Sequence, residues 1–295
     1  MNKFESFNQL VERAMSTPGR TLMRPAIAKE LLHYDILFCL DANNLLDKLT
    51  FQGGTSLRLC YGAPRFSEDL DFVGGREFAT ANLIEMKKCL ENYIGERYGL
   101  EISVKEPKEM AAIPEYQDIK VDKWQIGIVT SPERKDLPKQ KIKIEVANVP
   151  AYSRVPLSLQ QNYEFLPDGY TDTLIMTETL DEIMADKLIS LVSCQRYIRY
   201  RDIWDLRWLK QQGATINADY ILAKIGDYQA SDYPKKLDEM FDRLDGIIKS
   251  KEFRNELTRF IPSDILERTL QKEKFIDFLI NENKTMLSEV KKIIL

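Results

Sequence analysis

The sequence predicts an α+β protein in which a mixed sheet with helices is followed by a C-terminal helical bundle. Strand-like alternation of apolar and polar residues is confined to the first half, whereas helical spacing of apolar residues continues from Thr177 almost to the end. We place the domain boundary near residue 165, which gives domains of residues 1–165 and 166–295. Hydrophobic residues make up 44% and charged residues 30% of the chain, a globular composition that excludes the disordered and low-complexity classes.

The elements of the first half alternate between helices and short strands. Residues 1–50 and 77–98 have helical spacing. The predicted strands are Ser67–Gly75, Ile102–Val104, Val121–Thr130 and Lys141–Val146. Three prolines between residues 150 and 176 indicate a connector. The second half is predicted to open on a capping box formed by Thr179 and Glu182.

Charge and residue counts exclude several classes of function. The net charge of −4 gives no global reason to bind nucleic acid, so such binding needs a local basic patch. The single histidine, His33, argues against a histidine metal site, and we interpret it as a helical core residue. The four cysteines form no C-x-x-C pair, so we interpret them as small buried residues in a reducing compartment. No membrane span or leader pattern is found, and a cytoplasmic location is expected.

A glycine pair is the first motif that indicates chemistry. Gly53-Gly54-Thr55-Ser56 lies between a buried segment and a predicted helix. Glycines let backbone N–H groups approach a phosphate closely, and the Ser56 hydroxyl adds a donor. The alternative is a plain glycine-rich turn.

Paired carboxylates form the second motif. Asp69 and Asp71 are two apart in a predicted strand, so both project from one face and favour a divalent cation such as Mg²⁺. Glu145 lies in the strand with the clearest alternation, and a neighbouring position for the two strands would bring three carboxylates together for phosphoryl or nucleotidyl transfer. The alternatives are a solvated strand end for the two aspartates and ion pairs of Glu145 with Lys141 or Lys143.

Taken together, the motifs resemble the nucleotidyltransferase superfamily. In detail, Phe51–Leu57 followed by Tyr61–Phe72 resembles the AbiEii/AbiGii toxin family, which includes the MenT-type toxins of type IV toxin–antitoxin systems. In the second half, Asp186–Leu188 and Arg201–Leu206 match the family's helical lysine and its Arg-Asp-x-x-Asp-Leu segment. The resemblance covers roughly residues 25–210 and implies a nucleotidyltransferase fold with a helical domain that closes the active-site cleft.

The resemblance implies roles for individual residues. The nucleotide-binding residues would be Gly53, Gly54, Thr55, Ser56, Arg65 and Ser67. Asp69 and Asp71 would bind Mg²⁺, with Glu145 as a third metal ligand that helps to activate the acceptor hydroxyl. Lys187 would neutralise the triphosphate across the cleft from Asp69. Two further acidic residues of the second half, Asp202 and Asp205, would orient Lys187 or the nucleotide.

The residues themselves support the two positions in the second half. Lys187 lies inside an apolar helical stripe, so its ammonium either reaches out to solvent or meets an anion. Asp202 and Asp205 are three apart and share a helix face, where Arg201 can pair with Asp205. The alternative is a surface set of ion pairs.

The resemblance also implies the substrates and partners of an enzyme. These are an NTP donor, a tRNA 3′ end as the acceptor and a cognate antitoxin in an abortive-infection system. Arginines and aromatic residues interleave between Arg196 and Trp208, a pattern that suits RNA, although the tryptophans can equally be core residues. Two other hypotheses stay open, a nucleotide-binding module without transfer chemistry and transfer to a protein or small-molecule hydroxyl.

Overall fold

The computed structural model describes residues 5–107, 111–113, 116–133 and 139–295. The chain forms two compact units, of which the first comprises Met1–Ala111 and Lys120–Thr177 and the second comprises Ala112–Ile119 and Glu178–Leu295. The segment that follows residue 165 belongs to the first unit up to Thr177 and adds a strand to its sheet.

Over its described residues, the first unit contains four helices, a 3-10 turn at Thr80–Leu83 and most of the sheet. The helices are α1 (Phe7–Met15), α2 (Arg24–Ala42), α3 (Gly53–Leu59) and α4 (Met86–Tyr98). The strands are β1 (Thr50–Gln52), β2 (Leu70–Val73), β3 (Ile102–Lys105), β4 (Ala111–Ile113), β5 (Tyr116–Ile128), β6 (Gln140–Ala147), β7 (Val155–Ser158) and β8 (Leu174–Thr177), of which β4 and the first residues of β5 lie largely in the second unit.

The strand order is β3-β5-β6-β2-β1-β8-β7, and β4 pairs with β5 beside this path. The central strands β2 and β6 are parallel, whereas β1 is antiparallel to β2 and β5 is antiparallel to β6. One face of these strands is core, since Leu70, Phe72, Trp124, Ile144 and Val146 are almost fully buried. The mixed sheet and four of its strands were predicted, and their outward faces carry the polar residues of the candidate site.

The predicted connector at residues 150–176 is wrong as a description of the whole segment. It contains β7 and most of β8, which pair with each other at one edge of the sheet. Pro156 lies in the edge strand β7, where a missing N–H can face away from the ladder. In the sequence, Pro156 indicated an irregular connector, whereas in the structure it is part of an edge strand.

The described part of the second unit is dominated by helices, as predicted. They are α5 (Leu180–Ser193), α6 (Tyr200–Gln211), α7 (Ala218–Asp227), α8 (Tyr233–Lys249), α9 (Lys251–Thr258), α10 (Ser263–Arg268) and α11 (Glu273–Ile294). Thr179 is the N-cap of α5, and its hydroxyl accepts from the Glu182 N–H. Among the described helices of the chain, none combines the length and the apolar character that crossing a membrane requires.

Candidate active site

A row of four polar residues crosses the centre of the sheet. Asp71 on β2 is in register with Glu145 on β6 and with Gln52 on β1, and Glu145 is in register with Lys123 on β5. Residues in register project from the same face of a sheet, so these side chains share the face opposite the apolar core. The sequence-predicted neighbours Asp71 and Glu145 thus lie on directly adjacent strands.

Asp69 lies immediately before β2 and is held by two other elements. Its Oδ1 accepts from the backbone N–H of Lys143 at 3.1 Å, and its Oδ2 is 3.5 Å from the Lys143 Nζ. The Thr55 hydroxyl of α3 donates to the Asp69 carbonyl. Thr55 is buried, so the structure gives it a role in fixing the Asp69 backbone.

The carboxylates concentrate negative charge at this face. The pKa of Lys143 is raised mainly by Asp69, and Glu145 and Asp71 add to the effect although burial opposes it. Glu145 pairs with Lys123 at 2.8 Å. The ion-pair partner of Glu145 is therefore Lys123, and not Lys141 or Lys143 as the alternative interpretation of the sequence had it. Lys123 lies on the neighbouring strand β5, and the sequence alone could not place it opposite Glu145.

The three carboxylates are near one another without forming a closed cluster. In the described part of the chain, a set of three acidic groups with ligand oxygens within 4.8 Å of one another occurs elsewhere, at Glu178, Glu182 and Asp186. Asp69 and Glu145 keep 29% and 28% of their side chains exposed. They are therefore accessible to a cation and to solvent.

The glycine pair lies directly against these carboxylates. Gly53 begins α3 with a φ of +78°, and a Cβ atom there would be 2.9 Å from the Asp71 Oδ2. A Cβ on Gly54 would be 2.5 Å from an Arg65 guanidinium nitrogen and 3.0 Å from the Ser67 hydroxyl oxygen. Both the positive φ and the lack of space favour glycine at position 53. Because glycine has no side chain, the backbone can lie close to the Asp71 carboxylate.

The remaining predicted nucleotide-binding residues are more buried than expected for direct contacts. Arg65 is 3% exposed, and its Nη1 donates to the Phe66 carbonyl at 2.7 Å. Ser67 is 9% exposed. Ser56 is fully buried, and its hydroxyl lacks a hydrogen-bond partner within the described residues. The structure thus brings Gly54, Arg65 and Ser67 together and places the Ser56 side chain in the interior.

Helix α2 supports this site through contacts that the sequence analysis missed. The Lys29 Nζ contacts the Glu68 carboxylate at 2.7 Å, and His33 Nε2 is 3.0 Å from the Glu68 carbonyl oxygen. Glu30 receives two hydrogen bonds from Arg58 of α3, at 2.8 and 3.0 Å. The available signal was the placement of Lys29, Glu30 and His33 inside a strongly apolar helix, which requires polar partners.

His33 is a core residue, as interpreted from the sequence. It is 1% exposed, and burial lowers its pKa to about 4. The imidazole is therefore neutral at pH 7 and holds the chain next to Asp69.

Lys187 meets two anions in the interior of the second unit. Its ammonium contacts Asp202 at 2.9 Å and Asp205 at 2.8 Å, and all three side chains are nearly buried. Burial raises the pKa of Asp202, but Arg199 and Lys187 outweigh this effect and hold the pKa well below its usual range. The position of Lys187 relative to Asp69 stays a prediction.

A second buried lysine of this unit escaped sequence analysis. Lys224 is fully buried and contacts Glu178 at 3.3 Å, Glu182 at 2.8 Å and Asp186 at 3.0 Å. Glu182 and Asp186 are four apart on one face of α5, and Glu178 directly precedes the N-cap of that helix. This four-residue repeat of like charge in the sequence was the signal for a buried cation. Because Lys224 already lies among these carboxylates, we interpret the cluster as a structural ion network.

The arginine- and aromatic-rich segment divides into two parts. Trp204 and Trp208 are buried, so the core interpretation is correct for the tryptophans. The turn between α5 and α6 instead contributes to a pocket of about 390 Å³, whose charged and aromatic lining residues are Arg196, Tyr197, Lys236, Glu239 and Arg243. Three cations and one acid line this basic pocket, and one of the cations, Lys236, also pairs with Asp232 at 2.9 Å.

Comparison with known proteins identifies the family. The family model of the nucleotidyl transferase AbiEii toxin of type IV toxin–antitoxin systems matches residues 35–291. The chain belongs to this family. As a member of the AbiEii family it is a toxin nucleotidyltransferase, a class that acts on a nucleotide substrate and has an antitoxin partner.

Two solved structures are similar to this AbiEii chain. JHP933 from Helicobacter pylori shares 19% identity and has a TM-score of 0.47, with 90% of this chain and 92% of that chain covered. A second H. pylori protein, provisionally assigned as a nucleotidyltransferase, shares 20% identity and has a TM-score of 0.46. The alignment covers 88% of this chain and 94% of that chain. A search of curated proteins finds no match.

Proposed function

We propose that this AbiEii protein transfers a nucleoside monophosphate from an NTP to an acceptor hydroxyl, with the 3′ end of a tRNA as the acceptor. The observation that carries the proposal is the close approach of Gly53 to Asp71, next to Glu145 in register. This arrangement supplies a backbone surface for phosphates beside carboxylates that can hold a metal.

The residues of the sheet fit Mg²⁺. Asp69, Asp71 and Glu145 together raise the pKa of Lys143, which indicates that their charges act on one location that favours a cation. Their oxygens are the ligands that Mg²⁺ prefers. When bound by these residues, the ion would neutralise the charge of the triphosphate.

The protein forms no covalent bond to the substrates in this reaction, so most of the catalysis comes from the positioning of the substrates by its residues. The acceptor oxygen bonds to the α-phosphorus of the NTP, the bond to the β,γ-diphosphate breaks, and pyrophosphate leaves. The hydroxyl proton passes to a carboxylate of the site or to water. Gly53 and Gly54 hold the phosphates, and Arg65 and Ser67 support that turn.

An RNA acceptor is supported by the basic pocket of the second unit. Arg196, Lys236 and Arg243 can bind phosphates, and Tyr197 is 61% exposed and offers a ring on which an unpaired base can stack. An RNA acceptor implies action in the cytoplasm, and membership of a toxin–antitoxin family implies a cognate antitoxin that restrains the activity.

Labelled nucleotides test this function. The purified protein is incubated with total tRNA, Mg²⁺ and each α-³²P-labelled NTP separately, beside Asp71→Asn and the matched exposed variant Asp168→Asn. We expect label on RNA with the wild type and with Asp168→Asn, and none with Asp71→Asn.

The same assay separates the two other hypotheses. Label on protein or on a small molecule, with none on RNA, would identify another acceptor. NTP binding without transfer to any acceptor would identify a binding module and would overturn the proposed reaction.

A further inference from the structure

Two of the four cysteines, far apart in the sequence, meet inside the first unit. Cys39 of α2 and Cys89 of α4 are 50 residues apart, and their sulfur atoms lie 2.8 Å from each other. The Cys89 thiol also lies 3.6 Å from the Cys39 carbonyl oxygen. The sequence interpretation of the four cysteines as small buried residues is therefore incomplete for this pair, in which Cys89 is only partly buried.

The pair differs from the other cysteines of the chain. All four are free thiols, and Cys60 and Cys194 have no comparable sulfur contact within the described residues. Because α2 and α4 already hold the two sulfur atoms in contact, joining them requires little further movement of either helix. The structure thus favours a link between Cys39 and Cys89 over the other possible pairs of cysteines.

The two thiols differ in solvent exposure, and this difference determines which of them meets a dissolved oxidant first. Cys39 is 2% exposed, whereas Cys89 is partly exposed. Burial raises the pKa of Cys39, so that thiol stays protonated at neutral pH. An oxidant dissolved in water therefore reaches Cys89 first.

We propose that Cys39 and Cys89 are a site of reversible oxidation that forms a disulfide between α2 and α4 when a peroxide-class oxidant is present. The Cys89 thiolate attacks the peroxide, an S–O bond forms, the O–O bond breaks, and water leaves after proton transfer. The Cys39 sulfur then attacks the Cys89 sulfenic acid, the S–S bond forms and the S–O bond breaks. A second water leaves, so two thiols and one peroxide give one disulfide and two waters.

The disulfide would constrain the helix that supports the candidate active site. Helix α2 carries Lys29 and His33, which contact Glu68 next to Asp69. A link that closes a loop of this length stabilises the fold by restricting the unfolded chain. The inference rests on the thiol geometry and is independent of the proposed reaction.

Thiol counting on the full chain tests the inference. The reduced protein is treated with hydrogen peroxide, free thiols are blocked with N-ethylmaleimide under denaturing conditions, and the intact mass is measured. We expect four blocked thiols before oxidation, two after it and four again after dithiothreitol. Peptide mapping should show the Cys39–Cys89 link, and the midpoint of thermal unfolding should rise by at least about 4 °C.

Two variants make the result specific. The Cys60→Ser/Cys194→Ser protein keeps the pair and should still lose two thiols, whereas Cys89→Ser should retain Cys39 as a free thiol and show no rise in the midpoint. Four thiols after oxidation would overturn the inference. So would a link through Cys60 or Cys194, a link between two molecules, or a Cys89 that oxidises only to the sulfinic acid.

Discussion

The carboxylates of the candidate site in the first unit and the two buried lysines of the second unit form their ion pairs in opposite environments. In the first unit, Asp69 and Glu145 are paired with lysines whose side chains are 45% and 53% exposed. In the second unit, Lys187 and Lys224 are surrounded by buried carboxylates. Exposed ion pairs exchange easily with other ions, whereas a buried pair is costly to break. The comparison indicates that the carboxylates of the sheet are available to ligands, whereas the buried clusters hold the helices in place.

The largest effect is expected from the carboxylate nearest the glycine pair. Asp71→Asn removes one charge beside Gly53 while keeping shape, so nucleotidyl transfer should fall by about 10³-fold or more, and stability should hardly change. Rates of label incorporation and urea unfolding of the same preparation check both parts. An active Asp71→Asn protein would place the chemistry elsewhere.

Breaking the buried cluster should affect stability instead. Lys224→Met leaves Glu178, Glu182 and Asp186 without their cation, so the second unit should lose about 3 kcal/mol of unfolding free energy. The exposed Lys235→Met is the matched control and should change it by less than about 0.5 kcal/mol. Chemical denaturation measures both variants. Equal stability of the two would show that the cluster contributes no net free energy.

Acid should weaken the first unit through His33. Its pKa is about 4 in the folded protein, against about 6.5 in an unfolded chain. The unfolded chain binds the proton first, so the stability that neutral His33 contributes is lost as pH falls from 6.5 to 4. Between pH 7 and pH 5 this loss is about 2 kcal/mol.

The variant His33→Gln keeps a donor for the Glu68 carbonyl and removes the titration. Its unfolding free energy should not fall between pH 7 and pH 5. Asp35, whose pKa burial raises to about 6, acts in the opposite direction, because the folded protein takes up its proton first as pH falls. Urea midpoints at the two pH values measure the difference, and parallel curves for wild type and variant would contradict the assignment.

The smallest effect is expected at the basic pocket. Arg196→Ala/Arg243→Ala should weaken the binding of a single-stranded RNA and reduce the slope of log K against log salt by roughly 1.4, about 0.7 for each phosphate that the variant can no longer neutralise. The double variant Lys251→Ala/Arg254→Ala removes the same charge elsewhere in the unit. Fluorescence anisotropy across salt concentrations measures RNA binding by both double variants. Equal slopes for the two would show that the pocket does not bind the RNA acceptor.

Sequence reasoning predicted the parts of the molecule that local spacing determines. The alternation around Glu145 and the two-residue spacing of Asp69 and Asp71 predicted one polar face. The position of Lys187 in an apolar stripe left two options, an ammonium that reaches solvent or one that meets an anion, and the structure shows the second. Lys123 could not be assigned, because its position opposite Glu145 depends on the register between β5 and β6. The edge strand β7 and its neighbour β8 were missed for the same reason, since pairing rather than propensity makes them strands.

The parallel pairing of β2 with β6 also affects the order in which the toxin matures during synthesis. The Asp69 carboxylate contacts the Lys143 backbone 74 residues later in the chain, and a parallel pair closes only after its whole crossover has been made. A ribosome therefore releases the glycine pair and both aspartates long before Glu145 can join them. The row of polar residues across the sheet is therefore complete only after β6 has emerged from the ribosome and paired with β2.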